Sequence, residues 1–128
     1  ETFIDIEMLL RQLDDIGIIT IVSHPERHRV LAAQPEIISK WSDFGIGVQI
    51  TASSLVGQFG PAIQKAAWAF LTADFVGVVA TDAHDTDYRK PMMTDAFELI
   101  AQKLGENTAR KLCIENPSRI IEGKQLYK

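Results

Sequence analysis

Only one cysteine, Cys113, occurs in the sequence, so no disulfide can close within it, and a reducing cytoplasmic setting fits. No stretch approaches the roughly 18 consecutive apolar residues of a membrane span, and no charged-then-apolar leader opens the sequence, so membrane insertion is not expected. Basic surplus is lacking too. Thirteen Lys and Arg against 17 Asp and Glu give a net charge of −4, and without a concentrated basic patch a nucleic-acid partner is not expected. Internal repeats, low-complexity tracts and linkers are absent. What is present, 128 residues of which 46% are hydrophobic and 23% charged, suits one soluble domain with a real core and is too short for two.

Apolar residues recur at helical spacing in "TFIDIEMLLRQLDDIG", which Gly17 ends. "IITIVS" is a nearly all-apolar strand, the pattern of a sheet covered on both faces. A loop with Pro25 follows, and Ile37, Ile38, Trp41 and Phe44 mark a second helix before Gly45. "IGVQIT" is a second strand, "ASSLVGQFG" a loop, and Pro61 opens a helix over about 61–73. "FVGVVAT" is the third strand; helices over 92–104 and 106–114 follow, then a short turn opened by Asn116-Pro117 around "SRIIEG". Strands alternating with helices predict an α/β fold with a parallel sheet. Three strands make an incomplete α/β domain, and the sequence opens in a helix without a leading strand. It is therefore expected to be a single partial domain over 1–128, the later half of something larger.

Functional groups in such architectures collect at the carboxyl ends of the strands. Here those ends read Ser23-His24, Thr51-Ala52-Ser53-Ser54 and Thr81-Asp82-Ala83-His84. Residues two apart on a strand share a face, so Asp82 and His84 can point together into the mouth. With His24 they make a donor set for a divalent transition metal such as manganese, iron or zinc. The competing reading is ordinary loop residues, with Asp82 capping a turn. Arg27 lies three residues past His24 and Arg89 five past His84. Guanidinium groups clamp phosphate oxygens bidentately, so metal ligands and arginines in one cleft point to phosphate-ester chemistry. Surface ion pairs with Glu26, Asp85 or Asp87 are the alternative for these arginines, and the reading adopted for Arg29.

In this order, "HPERHR", "QITASSLVGQFG", "ATDAHD" and "ENPSRIIEG" resemble the bacterial manganese-dependent protein tyrosine phosphatases of capsular and exopolysaccharide synthesis, within the polymerase-and-histidinol-phosphatase (PHP) superfamily. The similarity runs from about residue 4 to 123. It implies the C-terminal part of a distorted (β/α)7 PHP barrel, with a trinuclear Mn2+ site at the strand ends. His24, Asp82 and His84 match metal ligands of that family, and Arg27 and Arg89 its phosphate-binding, catalytic arginines. The family's opening His-x-His motif and its other ligands belong to a half of the barrel with no counterpart here, so only part of the trinuclear site is expected. The implied reaction is phosphotyrosine hydrolysis by a metal-bound hydroxide, without a covalent enzyme intermediate. A metal lowers the pKa of bound water to roughly 7, and a phenolate of pKa about 10 leaves without a strong general acid. The implied partner is a bacterial tyrosine kinase of polysaccharide export. Two other readings stay open: a small-molecule phosphatase of histidinol-phosphatase type, and a non-catalytic interaction remnant.

Another pattern competes for the phosphate. Cys113 and Arg119 in "CIENPSR" have the Cys-x5-Arg spacing of cysteine-based tyrosine phosphatases. That chemistry needs converging backbone N–H groups and a stabilised thiolate. Pro117 has no N–H and Glu115 brings negative charge, so a buried, inert cysteine is expected. Trp41, Trp68 and Phe70 are read as core, His28 as a solvated loop residue, and Ser53 and Ser54 as lining the mouth without a base partner. An open half-barrel would expose a strand edge and apolar helix faces, so self-association, or residual disorder near the first helix, is expected.

Overall fold

The computed structural model describes residues 3–18, 20–43, 45–81, 93–124 and 126. A three-stranded parallel sheet holds the middle of the described structure: β1 (Ile21–Ser23), β2 (Gly47–Thr51) and β3 (Val78–Ala80), in spatial order β1-β2-β3. The register sets Val22 beside Val48 and Ile50 beside Val79. Because the strands are parallel, their carboxyl ends share one edge, where Ser23, Thr51 and Ala80 end them. The central strand β2 is covered on both faces: Val48, Ile50 and Thr51 are all shut off from solvent.

Helices α1 (Phe3–Asp15), α2 (Arg29–Ala33), α3 (Pro35–Asp43), α4 (Ala52–Leu55), α5 (Pro61–Thr72), α6 (Met93–Leu104), α7 (Glu106–Arg110) and α8 (Asn116–Ile121) flank the sheet. Their apolar sides build one core with it, in which Ile38, Trp41, Ile50, Leu55, Phe70 and Ile100 are buried. Trp41 and Phe70 are core residues as expected; Phe70 meets Phe75 at a tilted 59°, ring centroids 5.7 Å apart. Trp68 is half-buried, and its indole Nε1–H donates to the Leu55 carbonyl (3.0 Å) while Lys103 lies over its ring. It thus satisfies the end of α4. At the opposite edge of the sheet Leu126 packs against Gly47 and Gly77, where a Cβ would stand 2.9 Å from its Cδ1.

Three expectations are corrected here. The stretch 52–60 is not all loop, since α4 occupies its first four residues. Between the first strand and the second predicted helix the chain makes a 3-10 turn, Pro25–Arg27, and then α2. Asn116-Pro117 does not begin a turn: α7 runs through a π-helical segment, Lys111–Glu115, directly into α8. A proline inside a helix lacks a donor N–H and crowds the preceding turn, and π widening is one way a helix absorbs such a defect. Asn116 locks this junction to the sheet, fully buried, with its Nδ2 donating to the Gly77 carbonyl at 2.7 Å.

Candidate functional site

The site is built from the carboxyl end of β1 and the segment that follows it. The His24 N–H donates to the Gln49 carbonyl (2.8 Å), which extends the parallel ladder one residue past β1. Immediately there the chain turns. His24 has φ 38° and ψ 56°, the left-handed region that costs a residue with a Cβ of order 1–3 kcal/mol. Strain of this kind persists only where the surroundings over-determine it. The Arg27 N–H donates to the His24 carbonyl (3.1 Å) and the His28 N–H to the Pro25 carbonyl (3.0 Å), closing the 3-10 turn. Pro25, with its fixed φ, stands first in that turn.

Glu26 is the anchor. It is 1% exposed, and its Oε2 accepts the Thr51 N–H at 3.0 Å, which ties the turn to the carboxyl end of β2. A buried carboxylate is costly unless it is hydrogen-bonded. Its second oxygen, Oε1, finds no hydrogen-bond partner among the described residues, and neither do the buried hydroxyls of Thr51 and Ser54. The expected ion pairing of Glu26 with a surface arginine thus gives way to an inward carboxylate. Ser53 and Ser54 lie buried in α4 beside this end of the sheet.

Arg27 is exposed, and its guanidinium carbon sits 4.4 Å from the centre of the Phe59 ring. Phe59 comes from the loop between α4 and α5, so the segments "HPERHR" and "SSLVGQFG" meet through a cation–π contact. Stacking of this kind orients a planar guanidinium. His28 is exposed in the bend before α2, as expected of a solvated loop residue, and its Nδ1 also accepts the Leu31 N–H (3.3 Å) and so caps α2. Arg29 and Lys65 carry no side-chain bond or ion pair to another described residue, and Asp85 and Asp87, two of the partners expected for Arg29, lie outside the described residues.

Of the candidate residues, the structure brings His24 and Arg27 onto one strand end. Asp82, His84 and Arg89 lie outside the described residues; in sequence Asp82 is two residues past the end of β3, whose carboxyl end shares that edge. Among the described residues no group of three or more His, Cys, Asp or Glu is assembled to hold a metal ion. His24 nonetheless fits one, as a half-buried imidazole at a strand end, and Asp82 and His84 would complete a nitrogen and oxygen donor set suited to manganese, iron or zinc. Glu26, Thr51 and Phe59 are the residues that spacing did not single out.

The competing Cys113–Arg119 pattern is dismantled by its backbone. Cys113 sits inside the π-helical segment and Arg119 in α8, so the intervening residues are helical and form no phosphate-binding loop. Cys113 is half-buried, and burial pushes its thiol up to about 11, the reverse of what a nucleophilic thiolate needs.

Comparison with known proteins agrees with this picture. The family model described as "Capsular polysaccharide synthesis, CpsB/CapC" matches residues 1–122. Tyrosine-protein phosphatase CpsB of Streptococcus pneumoniae is 33% identical over 83% of this chain and 46% of its own length. Tyrosine-protein phosphatase YwqE of Bacillus subtilis is 26% identical over 95% of this chain and 48% of its own. Among solved structures, one from the crystallographic work on YwqE and CpsB, described there as unique metal-dependent tyrosine phosphatases, superposes with a TM-score of 0.89. It is 26% identical and covers 94% of this chain against 49% of that one. The chain thus spans about half the length of the curated relatives it matches. By this match and by the α/β architecture shared with the solved relative, the chain belongs to the CpsB/CapC family of capsular polysaccharide synthesis.

Proposed function

We propose that the chain forms the C-terminal part of a PHP-type (β/α)7 barrel, a single partial domain over 1–128, in a metal-dependent phosphatase acting on protein phosphotyrosine. The observation that carries this reading is the junction at β1, where His24 and Arg27 stand together at a strand end in a chain whose family includes tyrosine phosphatases. His24, Asp82 and His84 would hold Mn2+, as part of a trinuclear site finished by residues of the other half of the barrel. Such ions supply, when bound, an activated water near neutral pH and positive charge beside the phosphate.

The chain's own residues bind and orient. Arg27, stacked on Phe59, presents paired N–H donors to phosphate oxygens and neutralises charge gathering there. Arg89 is its counterpart from the segment after β3. Glu26 keeps the 3-10 turn seated on β2, so the Arg27 position is held by a buried bond rather than by a surface contact. The substrate would be the phosphotyrosine segment of a bacterial tyrosine kinase of polysaccharide export, met in the cytoplasm. The described helices include none long and apolar enough to cross a membrane.

The test is metal content by mass spectrometry and turnover, for the 128-residue chain and for a form extended upstream to the length of its relatives. The extended form is expected to bind Mn2+ stoichiometrically and to hydrolyse a phosphotyrosine peptide faster than histidinol phosphate. Preference for the small phosphomonoester would transfer the site to small-molecule chemistry. Absence of both metal and turnover in the extended form would leave an interaction module.

A further inference from the structure

Beside the strand-end site, the 3-10 turn and α2 lie against α5 and leave a groove of about 550 Å3 between them. Its volume falls within the range of small-ligand pockets. Ala33, Ala62 and Ala66 line it, side chains too short to fill the space, while Arg27, Arg29 and Lys65 supply its charge. All three cations are exposed. The one acidic lining residue, Glu26, is buried and accepts the Thr51 N–H, so three exposed cations stand against a single inward carboxylate. Although the chain as a whole is acidic at −4, this groove is locally cationic. Arg27 belongs to the groove and to the candidate phosphate site alike, so a polypeptide delivering a phosphate there can lay its neighbouring residues along α2 and α5.

We propose that this groove docks an acidic, extended peptide segment adjoining the phosphotyrosine of the substrate. Opposite charge chooses the occupant: carboxylates reach Arg29 and Lys65 at the rim, while the alanine side accepts the peptide's apolar parts. Electrostatic complementarity of this sort raises encounter rate and sets partner choice more than it adds raw affinity. The inference rests on the phosphatase reading for its placement beside a phosphotyrosine, but the groove and its charge are independent of metal.

The test uses two fluorescein-labelled peptides without phosphate, one rich in Glu and one with Gln in place of each Glu. Binding to the upstream-extended, Mn2+-loaded protein is followed by anisotropy. The Glu peptide is expected to bind at least five-fold tighter than the Gln peptide, with a preference that fades as salt rises. The double variant Arg29→Ala, Lys65→Ala is expected to erase that preference, and the double change to Glu to reverse it. Equal binding of the two peptides, or a preference unmoved by both double variants, overturns the proposal. So does acidic-peptide binding by the 128-residue chain that vanishes in the extended protein, since the rest of the barrel would then cover the groove. Turnover of p-nitrophenyl phosphate is scored separately. Its absence with the Glu preference intact sinks the phosphatase reading and leaves the groove standing. Its presence with no acidic preference among phosphotyrosine peptides does the opposite.

Discussion

Two stretches of this chain carry residues suited to phosphate, "SHPER" at 23–27 and "CIENPSR" at 113–119, and the fold treats them in opposite ways. The first leaves a strand in a left-handed step, turns tightly, and buries Glu26 so that Arg27 stands outward over Phe59. The second is wound into a continuous π and α helix. Helical N–H groups in its middle point along the axis to carbonyls of the same helix and are not offered to an anion. Cys113 consequently sits among apolar neighbours with its thiol pushed up to about 11, and Asn116 serves as a bolt to the sheet. Spacing of reactive residues is cheap to find in any sequence. What separates a site from a coincidence is where the backbone hydrogen bonds go.

The sharpest way to break this contrast is at Arg27. In the extended, Mn2+-loaded protein, Arg27→Ala is expected to lower kcat by about 10²–10³-fold, the range seen when a preorganised donor to a developing charge is removed. Arg27→Lys should recover only part, because an ammonium cannot make the bidentate, stacked contact. Steady-state kinetics on a phosphotyrosine peptide decides it, and near-normal kcat in the alanine variant would remove Arg27 from the site.

Glu26 is the next largest. Glu26→Ala strands the buried Thr51 N–H, at a cost of about 1–3 kcal/mol, and frees the turn that positions Arg27. Thermal unfolding should show a lowered Tm together with a fall in kcat of roughly ten-fold, an expectation scaled to lost positioning. Glu26→Gln keeps an acceptor for that amide and should restore most of both. Asn116→Ala tests the other stretch: it leaves the part-buried Gly77 carbonyl without this donor, at a cost of about 1–3 kcal/mol. Here Tm should fall while kcat per folded molecule holds.

Cys113 gives the smallest effect. Alkylation by iodoacetamide should be slow at pH 8 and climb toward pH 11, because the thiolate is the reactive form. The linkage has a definite sign. The unfolded chain gives up this proton near 9 and the folded chain near 11, so the folded state holds more protons between them and stability falls as pH rises through that window. Fast alkylation at neutral pH would mean a low thiol pKa and would reopen the cysteine reading.

The sequence was informative where apolar runs are long enough to show a period. "IITIVS", "IGVQIT" and "FVGVVAT" are the three strands, parallel as the intervening helices imply, though the ladders hold only 3, 5 and 3 residues. Flanking residues such as Thr20 and Thr81 lie outside the strands even where their apolarity or polarity is strand-like. Helices α2 and α4, of 5 and 4 residues, are too short to show a 3.6-residue repeat, and were hidden in apparent loops. Glu26 escaped for a different reason. Its partner is 25 positions away, and a carboxylate between Pro and Arg looks like a surface charge until the fold buries it. Phe59 likewise meets Arg27 only in three dimensions. The fate of Asn116-Pro117 turned on a π segment, which no local preference announces.

The most direct measurement is phosphotyrosine-peptide turnover by the extended protein, wild type beside Cys113→Ser, stripped with a chelator and then resupplied with Mn2+. The account predicts that the two proteins match throughout, both losing activity on stripping and both regaining it with the metal. Activity that survives the chelator in the wild type and disappears in Cys113→Ser would contradict it, and would move the chemistry from the end of β1 to the helix that holds Cys113.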